Sequence, residues 1–185
     1  VLTIARAVLI LCWVGFFYPF LFRAPHWQKR PSIVAAGPSR LGVLAEAIGV
    51  FLAFYFRLSA DTPPGAVRIA VAMVLAPLGP FLAWTAVTHL GRQFRVQAGL
   101  WEDHELVRTG PYSVIRHPIY AGFFALLLAT VLLYTRSPWW IAALAVFVAG
   151  TEIRVRTEDG LLLSRFGDLF AGYQQSVKAY IPFLR

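Results

Sequence analysis

The 185-residue chain has one cysteine, one methionine and nine acidic residues against seventeen lysines and arginines. The lone thiol, Cys12, sits inside an apolar run, which excludes an internal disulfide and removes thiolate zinc clusters from consideration. Histidine is also scarce: His26 and His89 stand at no spacing that a metal would require, and no metal site is expected. There is no strand-plus-glycine fingerprint of a Rossmann nucleotide fold, no internal repeat and no low-complexity stretch. At 58% apolar composition, little polar sequence is left from which to build a separate soluble domain. Any site must therefore be assembled from loops and helix ends.

Long apolar sequence is what the chain has in excess. Leu2 to Phe22, Leu41 to Leu58, Val67 to Leu90, about Ile119 to Tyr134 and about Pro138 to Ile153 each approach the ~20 residues needed to cross hydrocarbon, the last two leaning on flanking interfacial turns. The first run ends in bulky residues rather than the small ones of a peptidase site, so it reads as a retained anchor. Cations follow the connections after runs one, three and five: Arg23, Lys29, Arg30 and Arg40, then Arg92, Arg95, Arg108 and Arg116, then Arg154, Arg156, Arg165, Lys178 and Arg185. Only Arg6, Arg57, Arg68 and Arg136 fall on the other side. This asymmetry marks the cytoplasmic face and predicts an N-terminus outside and a C-terminus inside. The net charge of +8 is thus topological, and no nucleic-acid partner is needed to explain it.

Local signals refine the layout. The stretch Arg23 to Arg40 carries Pro25, Pro31, Gly37 and Pro38, and should run along the membrane surface as a basic loop. Pro77 and Pro80 each remove a backbone donor from the third run and predict a kink or unwinding. Glu46 is the one acidic residue well inside a span, where a carboxylate calls for an ion pair, a protonated hydrogen bond or a wet pocket. Gly110-Pro111 reads as a turn, and Pro118 suits the first position of a helix whose N-terminal amides would favour an anion. Beyond run five, Thr151 to Phe170 stays helical, with Leu162, Phe166, Leu169, Phe170 and Tyr173 forming an apolar stripe. Arg154 and Glu158 share a face of that helix, and Gly167 with Asp168 offers a break and a fresh N-cap.

Four blocks occur in order: Leu90-Gly-Arg-Gln-Phe94, His104-Glu-Leu-Val-Arg-Thr-Gly-Pro-Tyr112, Arg116-His-Pro-Ile-Tyr-Ala-Gly122, and Glu158-Asp159 followed by Phe166-Gly-Asp and Tyr173. Together they resemble the isoprenylcysteine carboxyl methyltransferase family, the group that includes bacterial phospholipid-methyltransferase-like proteins. The resemblance implies an all-α integral membrane protein of about five spans. It would be one domain over 1–185, with spans one to three in 1–90 and the cofactor-binding catalytic half in 91–185. It further implies an S-adenosylmethionine pocket on the cytoplasmic side, formed by the loop before span four and the C-terminal helix.

Carried over by position, His104, Leu106, Val107, Gly110, Pro111, Tyr112, Arg116, His117, Tyr120 and Glu158 should hold the cofactor. Arg154 and Glu158 are the expected catalytic pair, one helical turn apart at the bilayer boundary. The implied reaction is methyl transfer to a lipophilic or lipid-modified acceptor arriving from the surrounding membrane lipids, either an isoprenylcysteine-type carboxylate or a lipid headgroup. A nicotinamide-dependent membrane reductase of related fold and a non-enzymatic membrane interaction protein are the competing readings. The family usually shows two adjacent glutamates; here Asp159 takes the second place and Gly160 follows, so the expectation rests on Glu158 rather than Asp159.

Overall fold

The structure is a computed structural model that describes residues 1–22, 32–35, 37–58, 62–95, 98–135 and 138–180. Arg23, Lys29, Arg30, Arg136 and Arg185, used in the charge reading, and His26, used in the metal reading, lie outside the described residues.

Helix α1 covers Leu2–Phe22 and α2 covers Pro38–Tyr55. The third apolar run is divided into α3, Ala66–Leu75, and α4, Leu78–Leu90, with α5 at Pro118–Tyr134, α6 at Trp139–Phe166 and α7 at Asp168–Ser176. The division falls at Pro77, as the missing proline donors predict. Leu2–Phe22, Pro38–Tyr55 and Ala66–Gln93 are each long and apolar enough to cross a membrane, and the 17-residue α5 is a shorter apolar helix. α1 shows the pattern expected of a lipid-facing span. Ala5, Leu9, Cys12 and Phe16 recur at helical spacing on one buried face, whereas Ile10, Leu11 and Val14 on the other sides are exposed apolar residues.

The helices meet through small residues, which let backbones approach closely where hydrocarbon solvent gives no hydrophobic drive. On α2, Gly42, Glu46, Gly49 and Ala53 form one buried stripe. It packs on Ala143, Phe147 and Gly150 of α6 so tightly that a Cβ at Gly150 would lie 2.6 Å from the Gly42 carbonyl oxygen. α4 and α5 cross in the same way at Gly79 and Gly122, where a Cβ on Gly122 would meet the Gly79 oxygen at 3.0 Å. On the side away from the site, Arg68 donates to the carbonyls of Val131 and Thr135, and Thr135 Oγ1 donates to the Ala53 carbonyl at 2.7 Å. The C-terminus of α5, which would otherwise leave unpaired acceptors, is satisfied there.

Two expectations need correction. The architecture is not wholly helical: β1, Ser32–Ala35, pairs antiparallel with β2, Gly99–Trp101, with Val34 opposite Leu100. Part of the stretch expected to run as a basic surface loop instead satisfies its backbone against the segment after α4. α2 also starts at Pro38, before Leu41, because proline is accommodated in the first helical turn. The stripe predicted beyond run five is partial, since Phe170 and Tyr173 are buried but Leu169 is 50% exposed. Gly167, at φ +52°, breaks the helix there as expected; it is itself the cap, and Asp168 occupies the first position of α7.

Candidate functional site

α6 is the element that builds the site. Its 28 residues run on past Ile153 without a break, so the helix carries Arg154, Glu158 and Asp159 away from the apolar bundle and under the loop that precedes α5. That loop is held down from the other side. Arg116 N–H donates to the Lys178 carbonyl and His117 N–H to the Ala179 carbonyl, both at 2.7 Å, so the segment after α7 pairs with it. Tyr173 O–H donates to the Tyr112 carbonyl, tying α7 to the short 3-10 turn Gly110–Ser113.

Between these elements lies a cavity of about 1050 Å³. Its polar lining includes Gln93, His104, Tyr112, His117, Tyr120, Arg154 and Glu158. Its apolar lining includes Trp13, Phe16 and Phe20 of α1, Val43, Ala47 and Val50 of α2, and Phe123 of α5. α1 packs on α4 and α5, and α2 on α6 and α5, so both helices contribute to the cavity wall beside α5. Phe17, Leu21 and Val43 line the cavity and are also 46%, 61% and 45% exposed, which places its mouth on the lateral surface of the bundle.

A continuous chain of polar and charged contacts runs along the polar lining. Glu46 accepts from Arg154 at 2.7 Å and from Thr151 Oγ1 at 3.0 Å. The Arg154 guanidinium lies 4.7 Å from the centre of the Tyr120 ring, and Tyr120 O–H donates to Glu158. His117 then stands between two carboxylates, with Nδ1 3.4 Å from Glu158 and Nε2 2.9 Å from Asp159. Arg116 closes the chain on Asp159 at 2.9 Å.

Burial alone would neutralise His117, but the hydrogen bonds and charges of Asp159 and Glu158 outweigh it and hold its pKa above the usual histidine value. Burial likewise opposes the charge on Asp159, yet His117 and Arg116 hold that carboxyl at about 2. Glu158 is lowered in the same manner, burial being outweighed by His117 first and by Arg154 and Tyr120 after it. An imidazolium with both N–H groups aimed at carboxylates matches this donor and acceptor pattern. Tyr112 moves the other way: burial, then the Glu158 charge, pushes its phenol well above the usual range and keeps it neutral.

Nine of the eleven residues singled out from sequence line this one cavity: His104, Leu106, Val107, Tyr112, Arg116, His117, Tyr120, Arg154 and Glu158. Gly110 and Pro111 do not. The space beside Gly110, at φ +60°, is filled by the His89 imidazole, so the pair shapes the turn that presents Tyr112. His89 itself bonds to the Thr85 carbonyl at 2.8 Å. His117 occupies the position before α5, but its side chain caps nothing there and is spent on the carboxylates.

The sequence reading set Asp159 aside, whereas the structure makes it the partner of both Arg116 and His117. Its place beside Glu158 in the fourth block was the available signal. Arg154 and Glu158 are not the solvated surface pair that a lone amphipathic helix would carry, because Arg154 bonds Glu46, a partner 108 positions away that no local spacing reveals.

Comparison with known proteins agrees with this arrangement. The model of the isoprenylcysteine carboxyl methyltransferase (ICMT) family matches residues 70–164. The protein-S-isoprenylcysteine O-methyltransferase of Tribolium castaneum is 36% identical over 118 residues, 62% of this chain and 41% of that one. Its counterpart in Schizosaccharomyces pombe is 33% identical over 109 residues, 58% of this chain and 46% of that one. This chain therefore spans about half the length of the curated relatives it matches. Its fold is shared with a solved eukaryotic intramembrane Ras methyltransferase ICMT, at a TM-score of 0.58 and 22% identity, over 95% of this chain and 63% of that one. Since the family model covers half of the sequence, including α4, α5 and the site-bearing part of α6, the chain belongs to the isoprenylcysteine carboxyl methyltransferase family.

Proposed function

We propose that this membrane-embedded chain transfers a methyl group from S-adenosylmethionine to a lipophilic acceptor of the isoprenylcysteine carboxylate type at the cytoplasmic membrane face. One observation carries the reading: charged side chains and an apolar cleft with exposed residues at its rim line a single cavity. A greasy chain can lie in the cleft while its polar head reaches Arg154 and Glu158. The relatives' printed activity, O-methylation at isoprenylcysteine, supports the same acceptor class.

The residues present fit the cofactor. Glu158, held ionised, suits an ammonium group. Leu106, Val107 and Leu100 offer apolar faces to a flat base. The Gln93 side-chain oxygen is buried with no hydrogen-bond partner among the described residues, and so provides an acceptor for an N–H or O–H of a ligand. The Tyr120 ring adds a surface on which positive charge is favourable. When bound, S-adenosylmethionine supplies an electrophilic methyl group on a positively charged sulfur. The protein's part is then to align the two ligands and keep water out. A carboxylate acceptor is already ionised near neutrality and needs no base, which suits a site in which Glu46, Glu158 and Asp159 are engaged with cations or hydroxyls.

The test is transfer of labelled methyl from S-adenosylmethionine to N-acetyl-S-farnesylcysteine by purified protein in bilayers, with phosphatidylethanolamine vesicles as the headgroup alternative. Label in the farnesylated acid, released by mild base as an ester should be, supports the proposal. Label in the phospholipid alone would reassign the acceptor, and none in either would remove the activity.

A further inference from the structure

Glu46 lies on α2, outside the residues 70–164 matched by the family model, and yet it lines the same cavity. Its side chain is 3% exposed, its two oxygens are bonded separately to Thr151 and Arg154, and it lines the cavity beside them. The approach of α2 to α6 that makes this possible depends on Gly42 and Gly150, because a Cβ on Gly42 would collide with Arg154 Cγ and the Gly150 carbonyl oxygen. A charge is thus carried at a helix crossing where any larger residue would separate the partners. Such burial is costly, and an apolar pair would pack the same crossing without it.

Arg154 is held from two sides, by Glu46 and by the Tyr120 ring, and it also lines the cavity. Its plane is therefore fixed before any acceptor arrives. Without Glu46 it would be a nearly full positive charge in a site of low dielectric, where a carboxylate would bind far more tightly than in water.

Resting on the proposed function for the identity of the ligand, we infer that Glu46 is a positioning residue and built-in counter-ion, which orients Arg154 and shares its charge so that an acidic lipid head is received without being trapped. The head of the acceptor competes with Glu46 for one guanidinium. Binding energy spent uniformly on the acceptor's ground state gives nothing to its conversion, which is why moderation of this contact matters.

The experiment compares two ligands of equal apolar size, N-acetyl-S-farnesylcysteine and its methyl ester, by calorimetry on the whole protein in matched detergent. Wild type, Glu46→Gln and Glu46→Asp are measured, each also titrated with S-adenosylhomocysteine. Gln keeps the shape and one acceptor oxygen but removes the charge, so it should tighten acid binding by about tenfold or more and leave the ester within about twofold. Asp retains the charge and should hold the preference for acid over ester near wild type. Equal change for acid and ester in the Gln variant would mean a reshaped cleft, and no change or a weakened acid would mean that Glu46 does not moderate Arg154; either overturns the inference. Should Glu46→Gln fail to fold, Glu46→Gln with Arg154→Gln removes both partners of the pair, a change buried pairs tolerate better than loss of one. The preference for acid should then vanish, and its survival would refute the role. Failure of the functional reading is distinguishable, because it shows as absent S-adenosylhomocysteine binding by folded wild type, whereas the acid and ester comparison needs no turnover.

Discussion

Replacing Asp159 by Asn removes one charge and almost no volume from the cluster that seats the loop before α5 on α6. Asp159 accepts from His117 Nε2 and Arg116 at 2.9 Å each, with a side chain 12% exposed. An asparagine offers one acceptor oxygen and turns its NH₂ toward the other donor, so one cation loses its partner. The carboxyl is held at about 2 against 3.8 when unperturbed, and at about 1.4 kcal/mol per tenfold change in acidity this corresponds to roughly 2.5 kcal/mol of native-state stabilisation near neutrality. Residual solvent contact reduces this toward about 1.5 kcal/mol.

The sign follows from the lowered pKa. The contribution is complete above the unfolded value of 3.8 and disappears as pH falls toward 2. Thermal unfolding in detergent, followed by circular dichroism for wild type and Asp159→Asn between pH 7 and pH 2.5, should show a near-constant gap at pH 5 to 6 that narrows below pH 4. A gap that stays level down to pH 2.5, or none at neutral pH, would refute the reasoning.

Glu158→Gln should weaken S-adenosylmethionine binding by about 1 to 3 kcal/mol in calorimetry, through loss of a charge-assisted bond to the ligand's ammonium, and unchanged affinity would place that ammonium elsewhere. Gly150→Val puts a branched side chain where a Cβ would lie 2.6 Å from the Gly42 oxygen and 2.8 Å from Glu46 N, so it should lower stability by about 2 kcal/mol or more, read as a fall in unfolding temperature. Single cysteines at Ser113 and Ser176 in a Cys12→Ala background should be labelled by an impermeant maleimide from the cytoplasmic side and one at Thr62 from the other; Ser113 and Thr62 reacting from the same side would contradict the five-span orientation.

Much of this arrangement was readable from local pattern. Apolar length located α1, α2, α5 and the first part of α6; Pro77 and Pro80 marked the break between α3 and α4, and Gly167 the end of α6. The cavity residues His104 to Tyr120 were legible because they sit close together in the second and third of four ordered blocks. What local pattern does not carry is pairing at a distance. The antiparallel match of Ser32–Ala35 with Gly99–Trp101 joins segments that give no alternating strand signal, and the Glu46–Arg154 pair depends on an α2–α6 crossing set by glycines on both helices. Sequence alone shows Asp159 only as a departure from the usual second glutamate; its role comes from distant partners, His117 and Arg116, which its shorter arm meets here.

Direct titration of folded wild-type protein with S-adenosylmethionine, repeated with S-adenosylhomocysteine present, bears most immediately on the pocket. Saturable binding at one site per chain, with the two ligands competing, is the predicted result. No heat and no competition from protein whose circular dichroism shows intact helices would contradict a cofactor site in this cavity.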